Sequence, residues 1–350
     1  MLRSERLQTF VALGNFLRSA EAQLELAEVA QQANYRNNWF TVDNSLNALQ
    51  AIANEFLTSD KLTAWLSQYD TGIINSPRTV GVVMAGNIPA VGFHDLLCVL
   101  LSGHRLLAKL SLQDFVLIHY LIQKLTDINP AIGNWIEEAD RLNAADAFIA
   151  TGSNNTARYF EYYFGKKPHI IRKNRTSVGL LMGEESEDEL LKLGHDISDY
   201  YGLGCRNVST ILVPEDRNGR SAGPEPYDFT PLLRTLEPQV SHYLNNHKYQ
   251  NNYDYNKSIY LINAVPHLDN GYLLVTENDG LVSPISVLYY QTYQNPTDAQ
   301  AWLNTRTDKI QVVASAQGWL AGSVPFGQTQ RPGLSDYADG VDTMAFLSGL

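Results

Sequence analysis

The sequence predicts an α/β protein, with two α/β domains behind a helical N-terminal region. Three observations predict it. The chain has 350 residues, more than one hydrophobic core usually serves. From about residue 77, short apolar runs alternate with helical stretches, the rhythm of a sheet that binds a ligand beyond its strand C-termini. Before residue 77, apolar residues recur at helical spacing between polar ones.

In the region 1–76, Leu7, Phe10, Val11 and Leu17, then Leu24, Leu26, Ala27 and Ala30, mark helices. Trp39-Phe40-Thr41 interrupts the pattern. A further helix is expected from about Asp43 to Phe56, carrying Leu46, Leu49, Ile52 and Phe56, before Pro77 closes a turn. The next unit, 77–183, opens on a β-branched run at 79–85 that reads as a buried parallel strand. A helix from Pro89 to Ser102 is expected to start on its proline and stop at Gly103. Strands at 105–110 and 145–150 flank a helix at 112–126. A helix at 154–164 precedes an extended stretch at 169–173 and a strand at 177–182.

A second unit is expected over 184–330. Ser186 can cap a helix whose first turn holds Glu187, Asp188 and Glu189, favourable to the helix dipole. Leu190, Leu193, Ile197 and Tyr200 form its buried stripe. Gly202-Leu203-Gly204 ends that helix, Cys205 follows, and 209–213 reads as a strand. The polar, Gly/Pro-rich stretch 215–226 reads as a surface loop. Later strands are expected at 258–262, 273–276, 285–290 and 310–314.

Composition narrows the function. Hydrophobic residues make up 44% and charged residues 18%, as in an ordinary soluble globular chain. With 26 Lys+Arg against 37 Asp+Glu the net charge is −11. A field of that sign argues against a nucleic-acid or anionic-membrane binder, although a local basic pocket stays open. Two cysteines, Cys98 and Cys205, cannot build a disulfide framework or a Cys-rich zinc site. The N-terminus carries Arg3, Glu5 and Arg6 where a signal peptide needs an uninterrupted apolar stretch. The most apolar run, 95–101, is too short to span a bilayer. The expectation is a cytoplasmic chain in a reducing compartment, with no membrane span.

Cys205 is the first chemical candidate. It stands between a glycine-flanked helix end and a strand, beside Arg206, and neighbouring positive charge raises the thiolate fraction. The alternative is a small buried hydrophobe, which suits Cys98 better. Asn87, in Gly86-Asn87-Ile88-Pro89, can donate to a developing oxyanion or serve as a helix cap before the proline. Thr151-Gly152-Ser153 opens a helix whose N–H groups favour a phosphate, or is merely a capped turn. Lys109 ends the second strand, where a cofactor ribose or its 2′-phosphate would lie, or is a solvated strand-end lysine. No G-x-G-x-x-G and no G-x-x-x-x-G-K-[ST] segment occurs. His94, His104, His169, His195, His242, His247 and His267 show no metal-ligand spacing, so no metal is expected. His195 or His94 is the histidine to consider as an acid/base beside the thiol. For the aromatic stretches 159–164 and 243–255, packing is favoured over an acyl tunnel.

Taken in order, these segments resemble the aldehyde dehydrogenase superfamily, most closely its acyl-CoA reductase branch, the LuxC-like fatty acyl reductases. The resemblance runs from about residue 77 to the end. It rests on Val80-Gly81-Val82-Val83 with Gly86-Asn87-Ile88-Pro89, the strand ending at Lys109, Thr151-Gly152-Ser153, Gly204-Cys205, Pro325-Phe326-Gly327 and the closing stretch 336–342. It implies an aldehyde-dehydrogenase-like fold: a Rossmann-like nicotinamide-cofactor domain at 77–183, a catalytic thiol domain at 184–330, and a segment 331–350 returning to the cofactor domain. It implies Cys205 as nucleophile, with Asn87 and the Cys205 N–H as oxyanion hole. Lys109 would meet the adenosine ribose or its phosphate, and Gly152 and Ser153 the pyrophosphate.

Two departures shape the expected reaction. The family's Glu-Leu-Gly-Gly segment, whose glutamate activates hydrolytic water, is replaced near Arg172-Lys173-Asn174-Arg175. An acyl-cysteine would then hydrolyse slowly, which favours thiol exchange or reduction. The acid expected before Ser283-Pro284 is also missing, since Gly280 stands there beside Asp279. The expected function is reduction of a fatty acyl-CoA or other acyl thioester to the aldehyde through acyl-Cys205. NADPH is favoured over NADH because Lys109 and Ser111 can meet a 2′-phosphate and Leu112 offers no repelling acid. A homo-oligomer is compatible with the sequence. The alternatives are an acyl-phosphate reductase of the glutamyl-phosphate type and a catalytically silent acyl-binding subunit.

Overall fold

The strands of the first unit are β1 Thr79–Val83, β2 Arg105–Lys109, β3 Ile136–Glu138, β4 Ala147–Thr151 and β5 His169–Arg172. They come from a computed structural model that describes residues 1–69, 76–215 and 227–350. The chain divides into one unit of Met1–Asn174 with Pro332–Leu350 and a second of Arg175–Arg331. In the first, every pairing is parallel and the order is β3-β2-β1-β4-β5. Parallel strands buried on both faces need apolar residues throughout, which β1 supplies with Val80 and Val82.

Helices Arg3–Arg18, Gln23–Arg36, Val42–Ala51 and Ser59–Leu66 form the N-terminal region, with a π-helical turn at Ile52–Phe56. Thr41 caps the third of them by accepting the Asn44 N–H. Phe10, Leu13, Leu17 and Leu49 share one core with Val80, Val82, Leu96 and Leu97. Each such side chain contributes roughly 1.5–3 kcal/mol by leaving water, so these helices are part of the first unit's core and not an appendage.

The helix Phe93–Ser102 is buried all round apart from His94. It starts later than the expected Pro89. Ala90 adopts a left-handed φ of 56°, and the Phe93 N–H closes a turn onto the Ala90 carbonyl, so the proline lies in a turn ahead of the helix. The strand β3 was not foreseen: three residues at a sheet edge carry too little pattern.

Pro332–Leu350 closes the first unit through polar contacts. The Trp65 Nε1–H donates to the Tyr337 hydroxyl at 3.0 Å, and Tyr69 bonds to both Tyr337 and Asp342. Arg172 joins Asp95 and donates to Thr343. His104 Nε2 meets the Leu347 carbonyl at 2.9 Å.

The second unit holds β6 Thr176–Leu180, β7 Val208–Pro214, β8 Leu268–Asp269, β9 Leu274–Glu277, β10 Val287–Tyr293, β11 Ile310–Ser315 and β12 Val324–Pro325. Their order is β12-β11-β6-β7-β10-β9-β8, parallel except for β8 against β9. The strand expected at 177–182 therefore belongs to this sheet. The boundary falls at Asn174/Arg175, not at 183/184, because β6 pairs with β7 and β11.

Ser186 caps the helix Glu187–Ser198 in a reciprocal box with Glu189. The strand expected at 258–262 is instead the end of the helix His247–Ile262. Asn246 caps that helix, and Tyr249, Tyr253 and Asn256 line its buried face, a helical spacing that outweighs the short apolar run. The loop expected at 215–226 lies, from 216 on, outside the described residues. Among the described residues no helix is long and apolar enough to cross a membrane.

Candidate functional site

The first unit gathers four of the expected residues at one edge of its sheet. Val83 pairs with Lys109 on one side and Ala150 on the other, so β1, β2 and β4 end at one level. The chain leaves β1 toward β2 and β3, then returns to place β4 and β5 on the other side. The crevice at such a reversal, beyond the strand carboxyl ends, is where open α/β sheets bind ligands. The Asn87 turn follows β1, Lys109 ends β2, and Gly152-Ser153 follows β4.

Asn87 is exposed, and the helix behind it has Gly92 at its cap position. The helix-cap alternative for Asn87 is thereby excluded. Gly86 explains how the turn is set: a Cβ there would collide with the Oγ of Ser111, with Asp114 Cβ at 3.1 Å. Ser111 Oγ accepts the Gln113 N–H at 3.2 Å. Lys109 is exposed at its strand end, and Leu112, two residues on from Leu110, is 93% exposed. Asp114 was not foreseen. Burial pushes its carboxyl well above the ordinary carboxylate range, against the smaller opposing pull of the Ala90 backbone N–H.

Ser153 caps the helix Asn154–Phe164, its Oγ accepting the Thr156 N–H at 3.2 Å. A Cβ on Gly152 would meet Thr156 and Phe160 at 3.0 Å, which keeps the backbone at this helix start bare. A bare helix start of this kind favours an anionic group.

Cys205 stands in the second unit, in the turn that leads into β7, and is partly buried. Its approach is strained. Tyr200 (φ 53°) and Tyr201 (φ 59°) are both left-handed, and Gly202 (φ 73°) continues the reversal. Left-handed residues other than glycine cost on the order of 1–3 kcal/mol each and persist only where their surroundings hold them. Tyr201 is buried, stacked on His242 with ring centres 6.0 Å apart and edge-on to Tyr243 at 5.7 Å. Gly202 is the glycine that the reversal requires.

The turn itself runs over Gly204-Cys205-Arg206-Asn207, closed by the Asn207 N–H on the Gly204 carbonyl at 3.2 Å. Cys205 is therefore a central turn residue. Ser177 Oγ donates to the Cys205 carbonyl at 3.1 Å. Sequence reasoning passed over Asn207, although asparagine beside a glycine pair is a turn signal.

The two candidate histidines are otherwise engaged. His94 lies in the first unit, with Nδ1 3.8 Å from the Sγ of Cys98 and Nε2 3.0 Å from the Leu334 carbonyl. His195 pairs with Asp199 at 3.1 Å, and that hydrogen bond raises its pKa. Cys98 is fully buried, and burial pushes its thiol up. The aromatic stretches pack: Tyr243, Tyr249 and Tyr253 are buried, and Phe164 stacks on Phe148 with centres 4.1 Å apart, while Tyr159, Tyr162, Tyr163 and Tyr255 face solvent. Among the described residues no group of His, Cys, Asp and Glu is arranged to hold a metal ion.

No family model matches the chain. A long-chain acyl-protein thioester reductase from Aliivibrio fischeri is 26% identical over 207 residues, covering 53% of this chain and 43% of that protein. The chain thus matches less than half the length of this curated relative. Betaine aldehyde dehydrogenase from Staphylococcus aureus superposes with a TM-score of 0.63 at 13% identity, over 95% of this chain and 73% of the other. Aldehyde dehydrogenase C from Pseudomonas syringae, solved as a mutant with NAD+ and octanal, superposes with a TM-score of 0.61 at 10% identity, over 90% and 72%. The fold is that of the aldehyde dehydrogenases, and the sequence is similar to an acyl thioester reductase, as the motifs imply.

Proposed function

We propose that this chain reduces an acyl thioester to the aldehyde through a covalent acyl-Cys205, drawing its hydride from a nicotinamide dinucleotide held by the first unit. The observation that carries the reading is Cys205 itself, a central residue of a β-turn behind two left-handed tyrosines. Backbone strain of this kind collects where a side chain has to be presented. Similarity to an acyl-protein thioester reductase supports the substrate class.

The first unit's strand ends fit the cofactor. Gly152 leaves the helix start bare, Ser153 orders it, and Lys109 offers a cation at the end of β2, on the other side of β1. When bound, the dinucleotide supplies a hydride. NADPH is the expected form, since Lys109 and Ser111 can meet a 2′-phosphate and Leu112 brings no opposing charge.

The protein's own part is acyl transfer. The Cys205 thiolate attacks the thioester carbonyl, the oxyanion is met by the Cys205 N–H, with Asn87 the second donor that the family resemblance implies, and the carbonyl re-forms as the substrate thiolate leaves. One C–S bond forms and one breaks. The stretch 172–175, near which the resembling family's glutamate segment is replaced, holds no acid, and its Arg172 is buried against Asp95. The acyl group therefore persists until it is reduced or returned to a thiol.

The test is incubation with acyl-CoAs of increasing chain length, without reductant, followed by intact mass. An acyl adduct that Cys205→Ala abolishes is expected. No adduct from any acyl thioester, with turnover of acyl phosphates instead, would replace this reading by acyl-phosphate reduction.

A further inference from the structure

We infer that Asn207 is the positioning residue of the Cys205 turn, clamping it at both ends and setting how the thiol meets an acyl carbonyl. Its role in acyl transfer rests on the functional reading above; its hold on the turn does not.

Asn207 is 2% exposed and uses every polar group it has. Its Oδ1 accepts the Gly204 N–H at 2.8 Å, and its own N–H returns to the Gly204 carbonyl at 3.2 Å. One residue thus ties both backbone groups of Gly204, and Cys205 and Arg206 are caught between. Nδ2 donates to the Asp199 carbonyl at 2.6 Å, which pins the segment just before the left-handed Tyr200. The Asn207 carbonyl accepts the Ser177 N–H at 3.1 Å and the Thr176 hydroxyl at 3.2 Å, fixing the clamp to β6.

The chemistry follows from the geometry. Capture of the Gly204 N–H by Oδ1 takes that donor away from any substrate. Ser177 Oγ holds the Cys205 carbonyl, which orients the peptide on the C-terminal side of the thiol-bearing residue. Buried amides paid in full in this way rigidify a loop. A misplacement near 1 Å costs acyl transfer about a hundredfold.

The experiment compares wild type with Asn207→Ala and Asn207→Asp. It measures iodoacetamide alkylation of Cys205 against pH, and acyl-adduct formation from an acyl-CoA. Cys98, fully buried, reports folding by staying unlabelled. With Cys98 protected, Asn207→Ala is expected to shift Cys205 alkylation by about threefold or more and to slow acyl transfer by about tenfold or more. Asn207→Asp retains the acceptor for Gly204 but sets a carboxylate against the Asp199 carbonyl. Its acyl-transfer rate relative to wild type should therefore recover as pH falls and the acid protonates.

Alkylation and acylation both within twofold of wild type in folded Asn207→Ala would overturn the inference. Should that variant expose Cys98, Asn207→Asp, which keeps the acceptor for the Gly204 N–H and loses the donor to Asp199, is judged by the same criteria at a pH where its acid is ionised. Absence of any adduct in wild type would sink the functional reading alone, since alkylation still decides whether Asn207 holds the turn.

Discussion

Arg172 grips Asp95 with two guanidinium nitrogens, Nη1 to Oδ2 at 2.7 Å and Nη2 to Oδ1 at 2.9 Å, inside the first unit. The same Nη2 donates to Thr343 at 2.8 Å, so the pair also ties down the C-terminal helix Thr343–Ser348. Removing one partner strands a buried charge. Asp95→Ala should cost about 3–5 kcal/mol, read as a fall in the urea midpoint. The double change Asp95→Leu with Arg172→Met should cost less than Asp95→Ala alone, because no charge is left behind. A double variant as damaged as the single would show that the pair contributes through packing.

Asp196 ties the second unit's stability to pH, favouring the folded state as pH falls. Its carboxyl is 1% exposed and accepts the Gly327 N–H at 2.7 Å, the Thr329 N–H at 3.1 Å and the Thr329 hydroxyl at 2.7 Å. Burial outweighs these donors and raises its pKa to about 6. An unfolded aspartate titrates near ~3.9. Between those values the folded chain binds the proton more tightly, so this group adds stability as pH falls from above 6 toward 4, by about 1.4 kcal/mol per unit at most. Above pH 6 the ionised form is a net cost. Asp196→Asn should flatten urea midpoints measured across pH 4–7; an unchanged slope would assign the pH dependence to other groups.

What could be read from the chain was mostly local. The Ser186–Glu189 box needs four consecutive residues, and the helix behind it was legible from the sequence. The end of β1, Lys109 and Gly152-Ser153 were legible because each lies where a strand gives way to a turn. The helix His247–Ile262 was half misread, since its last residues look β-branched while its buried face is set by Tyr249 and Tyr253 upstream. A strand carries no label for its sheet, so β6 went to the wrong unit. Asp196 and Thr329 are 133 residues apart, and nothing at either position announces the other. Asp114 was invisible for the same reason: its effect comes from burial under a turn formed elsewhere.

Gly86 and Ser111 are matched across the first unit's strand ends. A methyl at position 86 would run into the Ser111 side chain, which is held by the Gln113 N–H. Gly86→Ala should destabilise by about 1–3 kcal/mol through overpacking. Ser111→Gly should recover much of that loss, giving a coupling that a double-mutant cycle reads directly. Additive effects would mean that the turn simply moves aside. If the Asn87 turn serves acyl transfer, Gly86→Ala should also slow adduct formation more than Ser111→Gly does.

Leu112 tests the cofactor. It is 93% exposed in the loop after Lys109, a place where an apolar side chain stabilises nothing in the fold. In dinucleotide folds an acid beyond this strand hydrogen-bonds the ribose hydroxyls and repels a 2′-phosphate. Leu112→Glu should therefore weaken NADPH and help NADH, changing the ratio of their dissociation constants by about tenfold, equal to ~1.4 kcal/mol. Lys109→Met should weaken NADPH more than NADH, because the lysine's charge acts on the phosphate and its stem on both. Quenching of intrinsic tryptophan fluorescence measures both constants without any turnover. Equal losses for the two dinucleotides in Lys109→Met would place the 2′-position away from this strand end and remove the ground for preferring NADPH.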